Sequence, residues 1–334
     1  MKTKRLVIES KIDEELIKEA AQLLKKGEVV AFPTETVYGL GADATNELAI
    51  QKIFTAKGRP SDNPLIVHIA TKTQLFALVK DYPPYVEKLI DTFSPGPITY
   101  VLKSNGQVAP NVTANLSTVG VRIPNNKVAY RLLKECNIPI AAPSANTSGK
   151  PSPTTADHVL DDLDGKIAAV LDGGNAEVGV ESTVVDCTKE TPLILRLGKI
   201  TKDDIEKVVG KANIISGLKA DKPKSPGLKY KHYAPDVPLI LLSEDKNMQQ
   251  VIEQEKAKGH RVGVLVSKRT ANRIQADKII TLGIDDQEIA ANLYHSLRSL
   301  DKRDIDVVIC ESLPINGIGS AVMDRIKRAA TSIL

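Results

Sequence analysis

The sequence predicts an α/β protein of two domains, a twisted mixed open sheet followed by a small doubly wound parallel sheet. Three observations point there. The chain has 334 residues, more than one hydrophobic core usually organises. Helix-period and strand-period segments alternate along nearly all of it. A basic stretch bearing proline and glycine, residues 213–237, interrupts that alternation, so the predicted boundaries are 1–212 for the first domain, 213–237 for a linker and 238–334 for the second domain.

In the first domain, residues 13–26 place Leu16, Ile17, Ala20, Leu23 and Leu24 on one helical face, closed by Gly27. Residues 29–32 read as a short buried strand. Ala49, Ile50, Ile53 and Phe54 give a second helix over 47–55 that ends near Lys57 and Gly58. Short apolar, β-branched runs predict strands at 65–70, 98–103, 118–123, 138–142, 167–171, 183–187 and 193–197. Helical spacing fits 84–93, 126–136, 154–163 and 201–209. Past the linker, strands at 238–242, 261–266, 278–282 and 305–311 alternate with helices at 246–258, 271–276, 285–300 and 318–332. Four βα units in so short a span predict a parallel sheet. Neither G-x-G-x-x-G nor a Walker A loop follows any of its strands, so this second fold is not by itself evidence of nucleotide binding.

Composition removes several classes of function. With 42% hydrophobic and 26% charged residues the chain is ordinary for a globular protein, not disordered, collagenous or coiled-coil. No apolar run approaches the ~18 residues a membrane span needs, and the N-terminus lacks a secretory core. Cys136, Cys187 and Cys310 are odd in number and far apart. That argues against a disulfide framework or zinc site and for a cytoplasmic, reducing location. Twelve Phe and Tyr with no Trp leave little for a base-stacking surface.

Charge is uneven. Residues 216–235 carry five lysines and one acid, and the remainder holds 40 basic and 40 acidic residues. A solvated tether explains the proline, glycine and lysine content. The second half, SPGLKYKHYAP, also interleaves Tyr230, His232 and Tyr233 with lysines, and such a strip can lie over an anionic ligand.

Five polar segments follow predicted strands or helices of the first domain, where α/β proteins hold ligands. FPTETVYGLGAD (32–43) offers hydroxyls from Thr34, Thr36 and Tyr38, and Gly39 and Gly41 permit close backbone approach; an ordinary turn explains the same residues. KGRPSDNPL (57–65) sets Lys57 and Arg59 on a loop stiffened by Gly58 and Pro60, a cationic pair suited to a triphosphate, although basic residues also favour helix C-termini. His68 lies in an apolar strand, where a satisfied core histidine is the ordinary outcome, and no partner makes it a metal ligand. Arg122 in TVGVRIP is directed to one sheet face, to snorkel, meet solvent or bind a carboxylate. APSANTSGKPSPTT (142–155) is a hydroxyl- and amide-rich loop that suits either a phosphate cradle or a long surface loop. VESTVVD (180–186), with Arg196 following, adds Ser182. The site expected from this tally is hydroxyl plus cation with few carboxylates, fitted to positioning and charge stabilisation of phosphates.

Taken together, PTETVYGLGAD, KGRPSDNPL, the SAN of PSANTSGKPSPT, ESTVVD and SPGLKYKHYAP resemble the YrdC family, in its two-domain, L-threonylcarbamoyladenylate-forming branch. The family's K-x-R and S-x-N signatures match Lys57/Arg59 and Ser144/Asn146, and the resemblance spans essentially the whole chain. It implies a YrdC-like first domain, a Rossmann-like second domain, and ATP-dependent condensation of L-threonine with bicarbonate or CO2, releasing pyrophosphate. A partner transferase then passes the threonylcarbamoyl group to adenosine 37 of tRNA. It further implies Lys57 and Arg59 as the catalytic pair, and Lys57, Arg59, Asn63, Thr118, Ser144, Asn146, Ser152, Arg196 and Tyr233 around ATP. Thr36, His68, Arg122, Ala142 and Ser182 are implied around L-threonine. Tyr230, His232 and Tyr233 would form a lid, and Mg2+ would arrive on ATP phosphates without a protein cage. Other readings are a different carbamoyl-adenylate-handling enzyme, for which the zinc-finger and acylphosphatase-like modules are missing, and a non-catalytic RNA-binding module, against which the charge balance and scarce aromatics speak. In a further reading the second domain serves only to clamp the linker.

Overall fold

The computed structural model describes residues 2–9, 13–215 and 233–334. They fall into two compact units, one of residues 2–9, 13–148, 152–177 and 181–215, the other of 149–151, 178–180 and 233–334.

The first unit runs β1 (Lys4–Val7), α1 (Glu14–Lys25), β2 (Val30–Phe32), β3 (Gly39–Asp43), α2 (Glu47–Lys57), β4 (Ile66–His68), α3 (Lys72–Phe76) and α4 (Tyr85–Phe93). It continues with β5 (Ile98–Lys103), β6 (Thr118–Arg122), α5 (Lys127–Cys136), β7 (Ile140–Ala141), α6 (Ala156–Leu163), β8 (Ala169–Asp172), β9 (Thr183–Asp186), β10 (Leu193–Arg196), α7 (Lys202–Val209) and β11 (Asn213–Ile214). The eleven strands form one mixed sheet in the order β1-β8-β2-β3-β7-β4-β6-β5-β9-β10-β11. Side chains alternate between its faces. Ala31, Val67, Tyr100, Ala141, Val170 and Val185 belong to one apolar cluster. On the opposite face, Val30, Phe32, Ile140, Ala142 and Leu171 form a second cluster, and Ile66, Val101, Val184 and Leu195 form a third. Strand register sets His68 beside Arg122 between these two, so the polar residues interrupt an otherwise apolar face.

Helix ends follow the local chemistry. Asp13, Asn46 and Asn126 accept the first backbone N–H groups of α1, α2 and α5. Helix α2 stops at Gly58, whose φ of 61° is the left-handed cap a glycine adopts without strain.

The second unit contains β12 (Leu239–Leu241), α8 (Met248–Ala257), β13 (Val262–Val266), α9 (Lys268–Ala271), β14 (Lys278–Thr281), α10 (Asp286–Arg298), β15 (Val307–Cys310), α11 (Gly319–Ala329) and β16 (Ser332–Ile333). Its strands are all parallel, ordered β14-β13-β15-β12-β16. The onward connections of β13 and β15 lead to opposite edges, and in such sheets ligands enter the crevice between strands of that kind. Here Glu311, at the end of β15, brings its own carboxylate there: it accepts from the Ser267 backbone N–H and, at 2.5 Å, from the Thr270 hydroxyl.

Several elements differ from the sequence expectation. Residues 39–43 form a strand, not a loop, and its glycines face the protein's own core: a Cβ on Gly41 would lie 2.8 Å from the Phe32 ring and 2.9 Å from Ile140. The bare backbone lets Phe32 lie across β3 and meet His68 edge-on, ring centroids 6.0 Å apart. Strands β1, β11 and β16 and the single-turn helix α3 were not expected, being too short to carry a period. The helix expected at 271–276 is instead α9, one turn capped by Ser267.

Candidate active site

The first cluster is built on the turn after β2. The Thr34 hydroxyl donates to the Val37 C=O at 2.6 Å and accepts the backbone N–H groups of Thr36 and Val37, which fixes the turn. With the Thr34 proton given to Val37, the 2.9 Å contact between the two hydroxyls is a donation from Thr36 to Thr34. Thr36 therefore acts as an acceptor toward everything else, and it accepts from Arg122 Nη1 at 2.9 Å. Arg122 Nε donates to the Gly96 C=O at 3.3 Å, and Nη2 lies 2.7 Å from Glu35 Oε1 in a pair whose side chains are 5% and 6% exposed.

His68 is 4% exposed, and its Nδ1 lies 3.2 Å from the Ile66 C=O. A carbonyl only accepts, so the proton sits on Nδ1 and Nε2 offers a lone pair. Burial, and then the neighbouring Arg122 charge, push the imidazole down to about 3. Neutral His68 thus contributes stability that is complete above about pH 6.5 and is lost as pH falls toward 3, because the unfolded histidine takes up a proton first. Between pH 7 and pH 5 the wild type is expected to lose about 2 kcal/mol of unfolding free energy through this group. Denaturant titrations of His68→Gln at both pH values should show that loss removed; an equal loss in both proteins would contradict the assignment.

The second cluster joins β5, β9 and β10. Ser182 Oγ lies 2.8 Å from Thr99 Oγ1, and Arg196 donates to both the Ser182 C=O and its hydroxyl at 3.0 Å. The Thr183 N–H donates to the Pro97 C=O. Gly96 and Pro97 therefore tie this group to Arg122. Ser152 donates to Glu181 at 2.6 Å, with both residues buried.

The third cluster forms where α2 ends. Lys57 is 3% exposed, and its ammonium donates to the C=O groups of Ser144 and Asn146, the latter at 2.6 Å. It is thus no solvated helix end. Its own C=O accepts the Ser148 N–H, and Asn146 Nδ2 donates to the Thr147 C=O. Arg59 turns elsewhere, donating to the Asn63 C=O at 3.2 Å. Asn63 is fully buried, and among the described residues neither amide atom of its side chain has a hydrogen-bond partner. Such a group in a native fold asks for a ligand or ordered water.

Of the other expected residues, Ala142 follows β7 with its N–H donated to the Ile66 C=O. Thr118 opens β6 opposite Lys103, on the same side as Arg122 by strand period. Tyr230 and His232 lie outside the described residues. Tyr233 stacks on Tyr294 at 5.3 Å, with the Arg325 guanidinium 5.9 Å from its ring centre. The expected scarcity of carboxylates needs correction: Glu35 and Glu181 are buried among the site residues. Thr99 was likewise missed. Glu35 and Glu181 lie within the quoted motifs, but their partners are 87 and 29 positions away.

Comparison with known proteins gives a consistent picture. A family model covering Sua5, YciO and YrdC proteins, described as telomere recombination, matches residues 22–198. A model described as the threonylcarbamoyl-AMP synthase C-terminal domain matches residues 200–331. The chain is 47% identical to a threonylcarbamoyl-AMP synthase of Bacillus subtilis, covering 99% of this chain and 98% of that protein. It is 44% identical to the Pyrococcus abyssi synthase, over 97% and 96% of the two chains. The crystal structure of Pyrococcus abyssi Sua5 complexed with L-threonine superimposes with a TM-score of 0.94 at 43% identity, covering 99% of each chain.

Proposed function

The chain belongs to the threonylcarbamoyl-AMP synthase family, and on that premise we propose that it acts as a nucleotidyltransferase making L-threonylcarbamoyladenylate and pyrophosphate from L-threonine, ATP and bicarbonate or CO2. The neutral amine of threonine adds to CO2 and, giving up one N–H proton to water, becomes a carbamate. A carbamate oxygen attacks the α-phosphorus, and the bond to the β-phosphate oxygen breaks to release pyrophosphate. The nucleophile belongs to the substrate, so the protein's work is to position, to neutralise charge and to exclude water.

The observation that carries this reading is the buried polar break in the sheet face. Arg122, Thr36 and His68 provide a guanidinium, an acceptor hydroxyl and an acceptor nitrogen within one hydrogen-bonded neighbourhood. Those groups suit a small amino acid with a carboxylate and a hydroxyl. Ser182 and the Ala142 backbone complete the proposed threonine pocket. The ATP side is assigned to Lys57, Arg59, Asn63, Thr118, Ser144, Asn146, Ser152 and Arg196, and the Asn63 amide, buried without a partner among the described residues, supports it. Mg2+ is assigned to the phosphate oxygens and water, where it supplies positive charge to the triphosphate. In this reading the protein itself needs no cage of carboxylates for the ion.

A cytosolic place of action fits the three cysteines, all buried as free thiols, and no described helix is long and apolar enough to cross a membrane. The product is an activated acyl adenylate, which a transferase acting on tRNA adenosine 37 would consume. Incubation with ATP, Mg2+, L-threonine and 13C-bicarbonate, read by mass spectrometry, should give a labile adenylate one mass unit heavier than from unlabelled bicarbonate. An adenylate without the label would overturn the carbon assignment.

A further inference from the structure

We infer that Glu35 is a positioning residue for the amino-acid substrate, acting through Arg122. The inference rests on the reading of Arg122 as the partner of the substrate carboxylate, and it adds a residue for which that reading gives no role. A guanidinium carries five N–H donors in one plane, so its usefulness to a carboxylate depends on how the plane is held. Three protein groups hold it here: the Gly96 C=O at Nε, Thr36 Oγ1 at Nη1, and Glu35 Oε1 opposite Nη2. Glu35 alone among these is charged.

Its environment makes that charge matter. Glu35 and Arg122 are 5% and 4% exposed, and Arg122 is the ion-pair partner of Glu35 among the described residues. Among the described residues neither Glu35 oxygen makes an aligned hydrogen bond, despite the 2.7 Å approach to Arg122. The carboxylate is therefore not engaged in holding up the turn, which Thr34 does on its own. What Glu35 does is balance and orient the guanidinium. Because it directly precedes Thr36, one short stretch of backbone places two of the three contacts, so any shift of the turn tilts the fork that meets the substrate.

The test compares steady-state kinetics of Glu35→Gln and Glu35→Asp with wild type, for L-threonine, L-threoninamide and ATP. Weakening one charge-assisted contact should raise the threonine KM about tenfold in Glu35→Gln and about threefold in Glu35→Asp. The ATP KM should stay unchanged, and so should the KM for threoninamide, which has no carboxylate to meet the fork. If Glu35→Gln does not fold, Glu35→Asp decides. A threonine KM unchanged in the folded variants, or one that rises together with the ATP KM, would overturn the inference. Arg122→Gln separates the two levels: if it leaves the threonine KM unchanged, the reading of Arg122 itself fails. If Arg122→Gln raises that KM and the Glu35 variants do not, only the role of Glu35 fails.

Discussion

Alanine at Lys57 is expected to lower kcat/KM for pyrophosphate release by about 100- to 1,000-fold, the range seen when one preorganised electrostatic donor is removed from an active site. The ammonium is buried at the end of α2 and donates to the C=O groups of Ser144 and Asn146. Truncation therefore removes a cation beside the proposed triphosphate and also leaves two carbonyls without their donor. The second effect lowers stability by about 1–3 kcal/mol, since stranded buried acceptors are costly. Lys57→Met loses the charge and both donated hydrogen bonds as alanine does but keeps the stem and its packing, so it separates the loss of the ammonium from the loss of packing. Both variants should lose activity alike, while Lys57→Met retains more of the thermal stability. Activity within threefold of wild type in either variant would contradict the placement of Lys57 at the phosphates.

Arg122→Gln should produce the largest effect on the amino-acid side. The guanidinium is the proposed partner of the threonine carboxylate, and loss of a bidentate, buried charge pair should raise the threonine KM by about 100-fold or more. The variant should also be destabilised by about 3–5 kcal/mol, because Glu35 is then buried without its partner. The Glu35→Gln/Arg122→Gln double variant distinguishes these effects. With both charges gone it should recover much of the stability in urea unfolding, yet keep the weak threonine binding. Recovery of both together would mean that Arg122 serves the fold and not the substrate.

Lys57 and Arg122 differ in how far their surroundings are written in local sequence. The end of α2, its glycine cap and the K-x-R spacing are local features, and so is the hydroxyl-rich loop after β7; each could be read from a few consecutive residues. Strands such as β5, β6 and β9 were readable because β-branched and aromatic runs of that length have few alternatives. Strand β3 was not. Gly39 and Gly41 weaken local strand preference, and what makes them belong in a sheet is the Phe32 ring lying across them toward His68. The short strands β1, β11 and β16 are set by pairing with partners elsewhere in the sheet. Helix α3 depends on a reciprocal cap between Thr71 and Gln74.

The site divides in the same way. Lys57, Ser144 and Asn146 could be singled out by type and spacing, and the structure joins them. The carboxylates could not, since a lone glutamate in a loop is unremarkable until its partner is known. Glu35 gains meaning from Arg122, and Glu181 from Ser152. The apparent cationic pair also resolves differently in space, with Lys57 turned to the Ser144 loop and Arg59 to Asn63. Spacing on a glycine-containing loop says which charges are near one another in sequence, and the backbone turn decides where each is aimed.

The most direct test of the central claim is pyrophosphate release from ATP and Mg2+ by the full chain, with L-threonine and bicarbonate each supplied or omitted. Synthesis of the threonylcarbamoyl adenylate requires release only when both are present. Release at the same rate without threonine, or without bicarbonate, would contradict the account, because the attacking oxygen exists only after the amine and the carbon source have combined.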